Sequence, residues 1–444
     1  MLPFGLQPLV PTEICERIID FVAIRDEAIW AYPHRIWHLE TYKTLQACSL
    51  TCHAWRSRSQ FYLMHLMSVQ PSLAEDRCFD NMLTLFNEVP HLKNSVEFLS
   101  VNGKELKIAR FHLVPLKLYE AMLPLRVLLF SNGLLYFPTA FPVCMRRFTS
   151  MVELRLHHLT LISDNDLRRM LNALRSLQKL YITSPEWAAF NANRRNYVES
   201  WPRSHLRLLD LQIEAESRWI GDFRTVRFFN WLSSSGAISH AQQIGLSKMM
   251  LINDDILATI ARLIHACSTS HRLDCVALSL RPEIDLTICK YCPCISCRDM
   301  VHGWILFAVD APLCSLPRLQ NLYFMCPYDV PILCQLASCL SSIFPRPQNS
   351  ALPQLNLTFQ RYPDYKEPPP ECWEELDNAM QHQDLKVRVD CIYYKPDGSV
   401  IWGDFYNHER RDGLDDMARK LFPKAFNEGR LWVANLDGMY HIVR

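Results

Sequence analysis

One pattern recurs along most of this chain and limits the folds open to it. The template apolar-x-x-apolar-x-apolar occurs nine times, at intervals between 26 and 46 residues, at Val96-Leu99-Val101, Leu125-Leu128-Phe130, Met151-Leu154-Leu156, Leu177-Leu180-Ile182, Leu206-Leu209-Leu211, Ala241-Ile244-Leu246, Leu273-Val276-Leu278, Leu319-Leu322-Phe324 and Leu352-Leu355-Leu357. The last two apolar residues of each template are two positions apart, which puts them on one face of a β-strand. The pattern therefore predicts a series of short strands.

Several intervals between these strands carry apolar residues at helical spacing, for example residues 167–174 and 256–264. A strand and a helix repeated about every 30 residues are typical of leucine-rich repeats, whose units bury their apolar faces only against neighbours. We therefore predict an α/β fold in which residues 66–365 form an irregular leucine-rich-repeat solenoid, or horseshoe. An α/β domain of another topology is the alternative.

Residues 366–444 are predicted to form a C-terminal repeat and capping segment. The stretch Lys366-Glu367-Pro368-Pro369-Pro370 is a stiff spacer at its start. Near the end of the chain, Leu431-Trp432-Val433 is apolar enough to cover the last exposed strand. A terminal repeat needs such a cap because its outer side has no neighbour.

Residues 1–65 have a different pattern, with two apolar stripes at helical spacing. The first consists of Ile14, Ile18, Phe21 and Val22, and the second of Leu45, Cys48, Cys52 and Trp55. Pro11 suits a first helical turn, where its missing N–H is not needed. The sequence predicts a short all-α segment, with an insertion around residues 24–41.

The segments LVPTEICERIIDF (residues 9–21) and TLQACSLTCHAWR (residues 44–56) resemble an F-box. Pro-x-Glu, the isoleucine stripe and Leu-x-x-Cys…Cys-x-x-Trp carry the resemblance. Two features depart from the motif: Val10 replaces the usual Leu before Pro11, and Trp55 lies 44 positions after Pro11. The overall arrangement, an F-box followed by degenerate repeats, resembles that of fungal F-box proteins of the leucine-rich-repeat type.

This resemblance implies the substrate-recognition subunit of an SCF-type cullin-RING ubiquitin ligase. The F-box would bind a Skp-type adaptor, and through it cullin, while the repeats bind a protein substrate. Carried onto this sequence, the adaptor contacts are Val10, Pro11, Ile14, Ile18, Leu45, Cys52 and Trp55. Two alternatives remain open: the stripes are only the core of a helical cap on the horseshoe, or the chain is an interaction scaffold outside any ligase.

In a horseshoe, the residues between the buried template positions face outward along the strands. This predicts a mixed polar and aromatic substrate-binding face at Arg155, His157, Tyr181, Asp210, Gln212, Tyr323 and Asn356. Tyr and Arg often carry the energy of protein interfaces, so a protein surface or peptide is the expected ligand. The alternative is that these are ordinary solvated strand positions.

One cysteine cluster has spacings that suit zinc. Cys289, Cys292, Cys294 and Cys297 form C-x₂-C-x-C-x₂-C, and His302 follows. Thiolates ligate zinc, but four of them within nine residues form a cramped loop. We predict no metal and no cofactor, with a zinc-binding protein built on this cluster as the less favoured alternative.

Composition excludes several other functions. A net charge of +1, with no three consecutive basic residues, predicts binding to neither nucleic acid nor anionic lipid. No G-x-G-x-x-G, G-x-x-x-x-G-K-[ST] or G-x-S-x-G motif is present, so we expect no enzymatic activity. The chain lacks a signal-peptide pattern and a 20-residue apolar stretch, and its 17 cysteines suit a reducing compartment. We expect a cytoplasmic or nuclear protein.

Overall fold

The chain has a mixed α/β fold built on parallel strands. The computed structural model describes residues 11–24, 37–69, 77–89, 95–103, 117–118, 124–135, 138, 140–188, 204–214, 222–249, 254–268, 273, 275–280, 321–327, 333, 336–337, 340–341, 354–361, 369–380, 387–394, 400–401, 419–429, 431–434 and 440–442. Two compact units divide the chain, residues 1–155 and residues 156–444.

The helices of the described residues are α1 (Thr12–Ile24), α2 (Trp37–Thr51), α3 (His53–His65), α4 (Arg77–Glu88), α5 (Phe141–Met145), α6 (Asp164–Ala173), α7 (Phe223–Ser234), α8 (Asp254–Ser268), α9 (Pro370–Ala379) and α10 (Pro423–Asn427). The strands are β1 (Leu66–Val69), β2 (Phe98–Asn102), β3 (Val127–Leu135), β4 (Glu153–Leu161), β5 (Lys179–Thr183), β6 (Glu186–Trp187), β7 (Asp210–Glu214), β8 (Gln243–Met249), β9 (Cys275–Leu280), β10 (Asn321–Pro327), β11 (Gln354–Arg361), β12 (Val387–Tyr394), β13 (Val400–Ile401), β14 (Leu431–Ala434) and β15 (Tyr440–Ile442).

The first unit begins with three helices that pack on one another and continues into parallel strands. Helix α1 starts directly after Pro11, whose carbonyl accepts the backbone N–H groups of Ile14 and Cys15 at 3.0 and 3.2 Å. Helix α3 starts after Cys52 in the same way. Strands β1, β2 and β3 then pair in parallel, and Leu99 lies opposite Leu128 with both side chains fully buried.

In the second unit, the parallel strands follow one another in chain order. From β5 the order is β7, β8, β9, β10, β11, β12 and β14; β6 pairs with β4, β13 with β12, and β15 with β14. The middle apolar residue of each repeat forms one column across this sheet, at Leu180, Leu211, Ile244, Val276, Leu322, Leu355 and Val387. The column confirms that the recurring template marks parallel strands.

The repeat at β7 is displaced by two residues from its predicted frame. The register places Leu180 opposite Leu211 and Ile182 opposite Ile213, so the repeat reads Leu208-Leu211-Ile213. These three side chains are buried, whereas Leu209 is only half-buried. Both frames fit the apolar template, and the burial of Ile213 decides between them.

In three successive repeats, a residue at or just after the end of the strand template has left-handed backbone at the same position. Asn132, His158 and Ser184 have φ values of 56°, 48° and 44°. They lie four residues after Leu128, Leu154 and Leu180, the middle template residues of three successive repeats. The chain therefore kinks at one fixed place in these repeats, as in a β-bulge.

Strand β14 joins the sheet beside β12. Strand β14 pairs in parallel with β12, and Leu431 is fully buried. Nearby, the aromatic rings of Phe359, Trp373 and Phe422 pack on one another, with centroids 5.3–6.2 Å apart. The segment Leu431-Trp432-Val433 thus pairs with the edge of the last repeat strand.

Candidate functional site

Helix α1 has apolar residues on two sides, and only one side is buried. Cys15 and Ile19 are buried against the neighbouring helices. Ile14 and Ile18 are each 43% exposed and Phe21 is 68% exposed, at the spacing i, i+4, i+7 of a single stripe. The apolar stripe of Ile14, Ile18 and Phe21 is therefore left on the surface, while the other side of the helix is buried.

Helix α2 likewise has one buried leucine and one exposed leucine. Leu45 is 5% exposed and packs in the helical core together with Cys48, whereas Leu50 is 80% exposed. Leu45, an adaptor contact by resemblance, is thus part of the core. Leu50 was not predicted, because it lies off the stripe that starts at Leu45.

The other predicted adaptor contacts vary in exposure. Pro11 and Cys52 are exposed, and Trp55 is half-buried. Val10 lies outside the described residues. We refer to Ile14, Ile18, Phe21 and Leu50 as the N-terminal apolar residues.

A polar contact fixes α1 against α3 beside these residues. Arg58 Nε donates to Asp20 Oδ1 at 2.7 Å, and the Tyr62 hydroxyl donates to the same oxygen at 3.1 Å. The Arg58 guanidinium also lies over the rings of Phe61 and Tyr62. The hydrogen bond from Arg58 holds the pKa of Asp20 below its ordinary value, and burial raises the pKa of Tyr62. The contact orients the helix that carries Phe21.

Three of the predicted substrate-binding residues form a hydrogen-bonded group on the sheet of the second unit. The Tyr181 hydroxyl donates to Asp210 Oδ2 at 2.7 Å, and Gln212 Nε2 donates to Asp210 Oδ1 at 3.0 Å. All three side chains are half-buried. We call this group the Tyr181 cluster. It presents an oriented carboxylate on a sheet face that solvent reaches.

Gly245 supports this cluster from the next strand and was not predicted. It lies opposite Gln212 in the register, and a Cβ atom at this position would be 1.6 Å from Gln212 Oε1. The Gln212 amide therefore occupies the space that any other side chain at position 245 would need. A glycine within a predicted strand is the signal in the sequence, since such residues often mark a close approach.

The remaining predicted face residues do not join the cluster. Arg155 forms an ion pair with Glu153 on its own strand, and its Cζ atom lies 6.0 Å from the centroid of the Phe98 ring. His157 and Asn356 are buried, so they offer less surface than the strand pattern predicts. Asn356 accepts a hydrogen bond from Gln354 Nε2 at 2.8 Å. Tyr323 lies opposite Asn356 in the sheet, and its side chain is outside the described part.

The cysteine cluster Cys289–Cys297 and His302, considered above as zinc ligands, lie outside the described residues. Within the described ranges, no group of three or more His, Cys, Asp or Glu side chains is arranged to hold a metal ion. None of the helices in those ranges has the length and apolar character needed to span a membrane.

Comparison with known proteins gives no family match. No family model and no curated protein matches the chain. Among solved structures, the chain is similar to one described as the Rad7 and Elc1 complex in yeast, with 11% identity, a TM-score of 0.34, and coverage of 90% of this chain and 97% of the other. It is also similar to an LRR protein of Leptospira interrogans, with 12% identity, a TM-score of 0.18, and coverage of 80% and 98%. Neither likeness is close enough to assign a family.

Proposed function

We propose that this chain is the substrate-recognition subunit of an SCF-type cullin-RING ubiquitin ligase. Residues 11–65 bind a Skp-type adaptor and through it cullin, and the sheet of the second unit binds a protein substrate. The chain itself contributes no catalytic group. The observation that carries the proposal is the exposure of the N-terminal apolar residues on helices that bury other apolar residues, namely Cys15, Ile19, Leu45 and Cys48.

The exposed side chains are of the right kind for a helical partner. Full burial of a side chain such as Phe or Leu contributes about 1.5–3 kcal/mol. A few such anchors supply most of the energy of an interface, and apolar residues at i, i+4 and i+7 fit a groove between partner helices. If residues 11–65 were only a helical cap, Phe21 and Leu50 would be expected in its core.

The proposed contribution to ubiquitination is proximity. The adaptor end fixes the chain to the ligase, while the sheet holds a substrate near the ubiquitin-conjugating enzyme. Holding two reactants together raises the effective concentration of substrate lysines at the reacting thioester. Specificity then depends on which protein the sheet binds.

Co-purification of the full chain with a Skp-type adaptor and cullin tests this proposal. The natural chain is expected to retain both proteins. Phe21→Asp combined with Leu50→Asp should weaken adaptor binding at least about 100-fold, since two apolar anchors become charged. Val143→Asp is the matched control, because Val143 is also an exposed apolar residue, at 58%, and lies on α5.

Each outcome has a defined meaning. Absence of adaptor from the natural chain, or full adaptor binding by the Phe21→Asp, Leu50→Asp variant, would overturn the proposal. Adaptor without cullin would indicate an interaction scaffold instead of a ligase receptor. Stoichiometric zinc in the purified chain would support the alternative built on Cys289–Cys297.

A further inference from the structure

Asp210 carries an oriented negative charge with hydrogen-bonding capacity to spare. A carboxylate has about four acceptor positions, and two are used here, one by Tyr181 and one by Gln212. The only proton of the Tyr181 hydroxyl is directed at Asp210, so this hydroxyl has no proton to donate to a ligand. A partner for Asp210 must therefore bring its own donors.

The strand next to β7 carries a glycine beside the cluster. In the register, Gln212 is followed by Gly245 and then by Ala277 on the neighbouring strands. Gly245 does not have left-handed backbone, so the glycine is required by space and not by conformation. Its missing side chain lets the Gln212 amide lie across the sheet with Nε2 on Asp210. The carboxylate is thereby held between Tyr181 and Gln212 before any ligand arrives.

Charged groups of both signs lie on this face among the described residues. Asp210 and Glu214 project from the same face of β7, because they are four residues apart on one strand. Lys179, opposite Asp210 in the register, is the neighbouring cation, and its side chain is exposed. A second negative group placed here would be repelled by Asp210, whereas a cation would be attracted.

We infer that the Tyr181 cluster binds a cationic side chain, arginine or lysine, of the protein substrate; this inference rests on the proposed function for the existence of that substrate. Ammonium and guanidinium groups are donors only, which matches the unused acceptor positions of Asp210. The substrate segment is therefore basic at one position.

Selection of random nonapeptides, displayed on phage and captured by the full chain, tests this inference. Peptides with Arg or Lys at one fixed position should be enriched. Asp210→Asn keeps the size of the side chain and removes its charge, so the same selection should lose that preference. In fluorescence polarisation with an enriched peptide, Asp210→Asn should bind about tenfold more weakly, the loss expected for one charge-assisted hydrogen bond.

Two further variants make the test specific. Lys179→Ala removes the competing cation and should tighten binding. Asp80→Asn, which neutralises an exposed carboxylate paired with Lys117 in the first unit, should leave binding unchanged. Far-ultraviolet circular dichroism and the urea midpoint of each variant establish that the chain remains folded. Enrichment without a basic position, no enrichment at all, or undiminished binding by folded Asp210→Asn would overturn the inference.

The peptide-binding experiment can succeed or fail independently of the proposed function. The Phe21→Asp, Leu50→Asp variant should lose the adaptor and keep the selected peptide. If the adaptor does not bind and the Asp210-dependent preference is found, the inference holds for an interaction scaffold. If the adaptor binds and no basic position is selected, the inference fails and the ligase proposal stands.

Discussion

Leu45 and Leu50 lie on the same helix and have opposite surroundings, with side chains 5% and 80% exposed. Each residue of an α-helix rotates the chain by about 100°, so positions five apart differ by about 140° around the axis. One leucine therefore packs between helices while the other points away from them. Under the proposed function, stability and adaptor binding therefore depend on different residues of α2.

Leu45→Ala and Leu50→Ala should separate these two properties. Leu45→Ala removes buried methyl groups and should lower the free energy of unfolding by about 2–3 kcal/mol. Leu50→Ala should change it by less than about 0.5 kcal/mol but weaken adaptor binding. Urea denaturation and adaptor co-purification measure the two effects. The assignment is wrong if Leu50→Ala destabilises the chain as much as Leu45→Ala does.

The Asp20–Arg58 ion pair should make the stability of the helical segment depend on pH. Because the pKa of Asp20 is lowered on folding, its contribution is present above the ordinary carboxyl pKa of about 3.9 and is lost as the pH falls through the lower, folded-state value. Asp20→Asn should reduce stability by about 0.5–1 kcal/mol at pH 7, as expected for a partly exposed pair. The difference between the two chains, measured by urea denaturation, should shrink below pH 4. A constant difference down to pH 3 would show that the charge contributes nothing.

The strands could be predicted from the sequence because their signal is redundant. Every repeat places apolar residues two positions apart, and the sheet needs that spacing to bury one face. At Leu206–Ile213, however, apolar residues fit two frames. Burial of Ile213 and pairing with the neighbouring strand distinguish them, and neither is a property of the local sequence.

The candidate site could be predicted less completely, since it depends on packing between elements. Strand alternation predicts Tyr181, Asp210 and Gln212, but it does not show that His157 and Asn356 are buried. The role of Gly245 follows from the direction in which Gln212 lies. Leu50 was missed because a single stripe describes only one side of α2.

The left-handed backbone of His158 should be relieved by glycine. This conformation costs a non-glycine residue about 1–2 kcal/mol, of which glycine's greater freedom in the unfolded chain offsets about 0.5–1 kcal/mol. His158→Gly should therefore raise the free energy of unfolding slightly, and His158→Val should lower it. Thr160→Gly, on the same strand without left-handed backbone, is the control and should be destabilising. We expect the urea midpoint to increase from Val through His to Gly at position 158. The reverse order would contradict the inference that His158 is strained.

Gly245→Ala should act through Gln212. The added Cβ atom meets the end of a flexible side chain, so Gln212 can move aside at the expense of its hydrogen bond to Asp210. We expect a loss of about 1 kcal/mol, the value of one such bond. In the Gln212→Ala background the same substitution should have almost no effect. Urea denaturation of the four chains forms a double-mutant cycle, and additive effects would exclude this coupling.

Asp377 should be among the most sensitive residues of the second unit, because it satisfies the start of another helix. Its Oδ2 accepts the Lys424 backbone N–H at 2.8 Å, its Oδ1 accepts that of Ala425 at 3.2 Å, and its side chain is buried. Asp377→Ala removes the acceptor of two backbone donors of α10, one buried and one part-buried, and should lower the free energy of unfolding by about 2–4 kcal/mol. Asp377→Asn retains one acceptor and should lose about half as much. Glu374→Ala, at an exposed position of α9, is the control; urea denaturation that finds Asp377→Ala no more harmful than this control would mean that α10 forms without its cap.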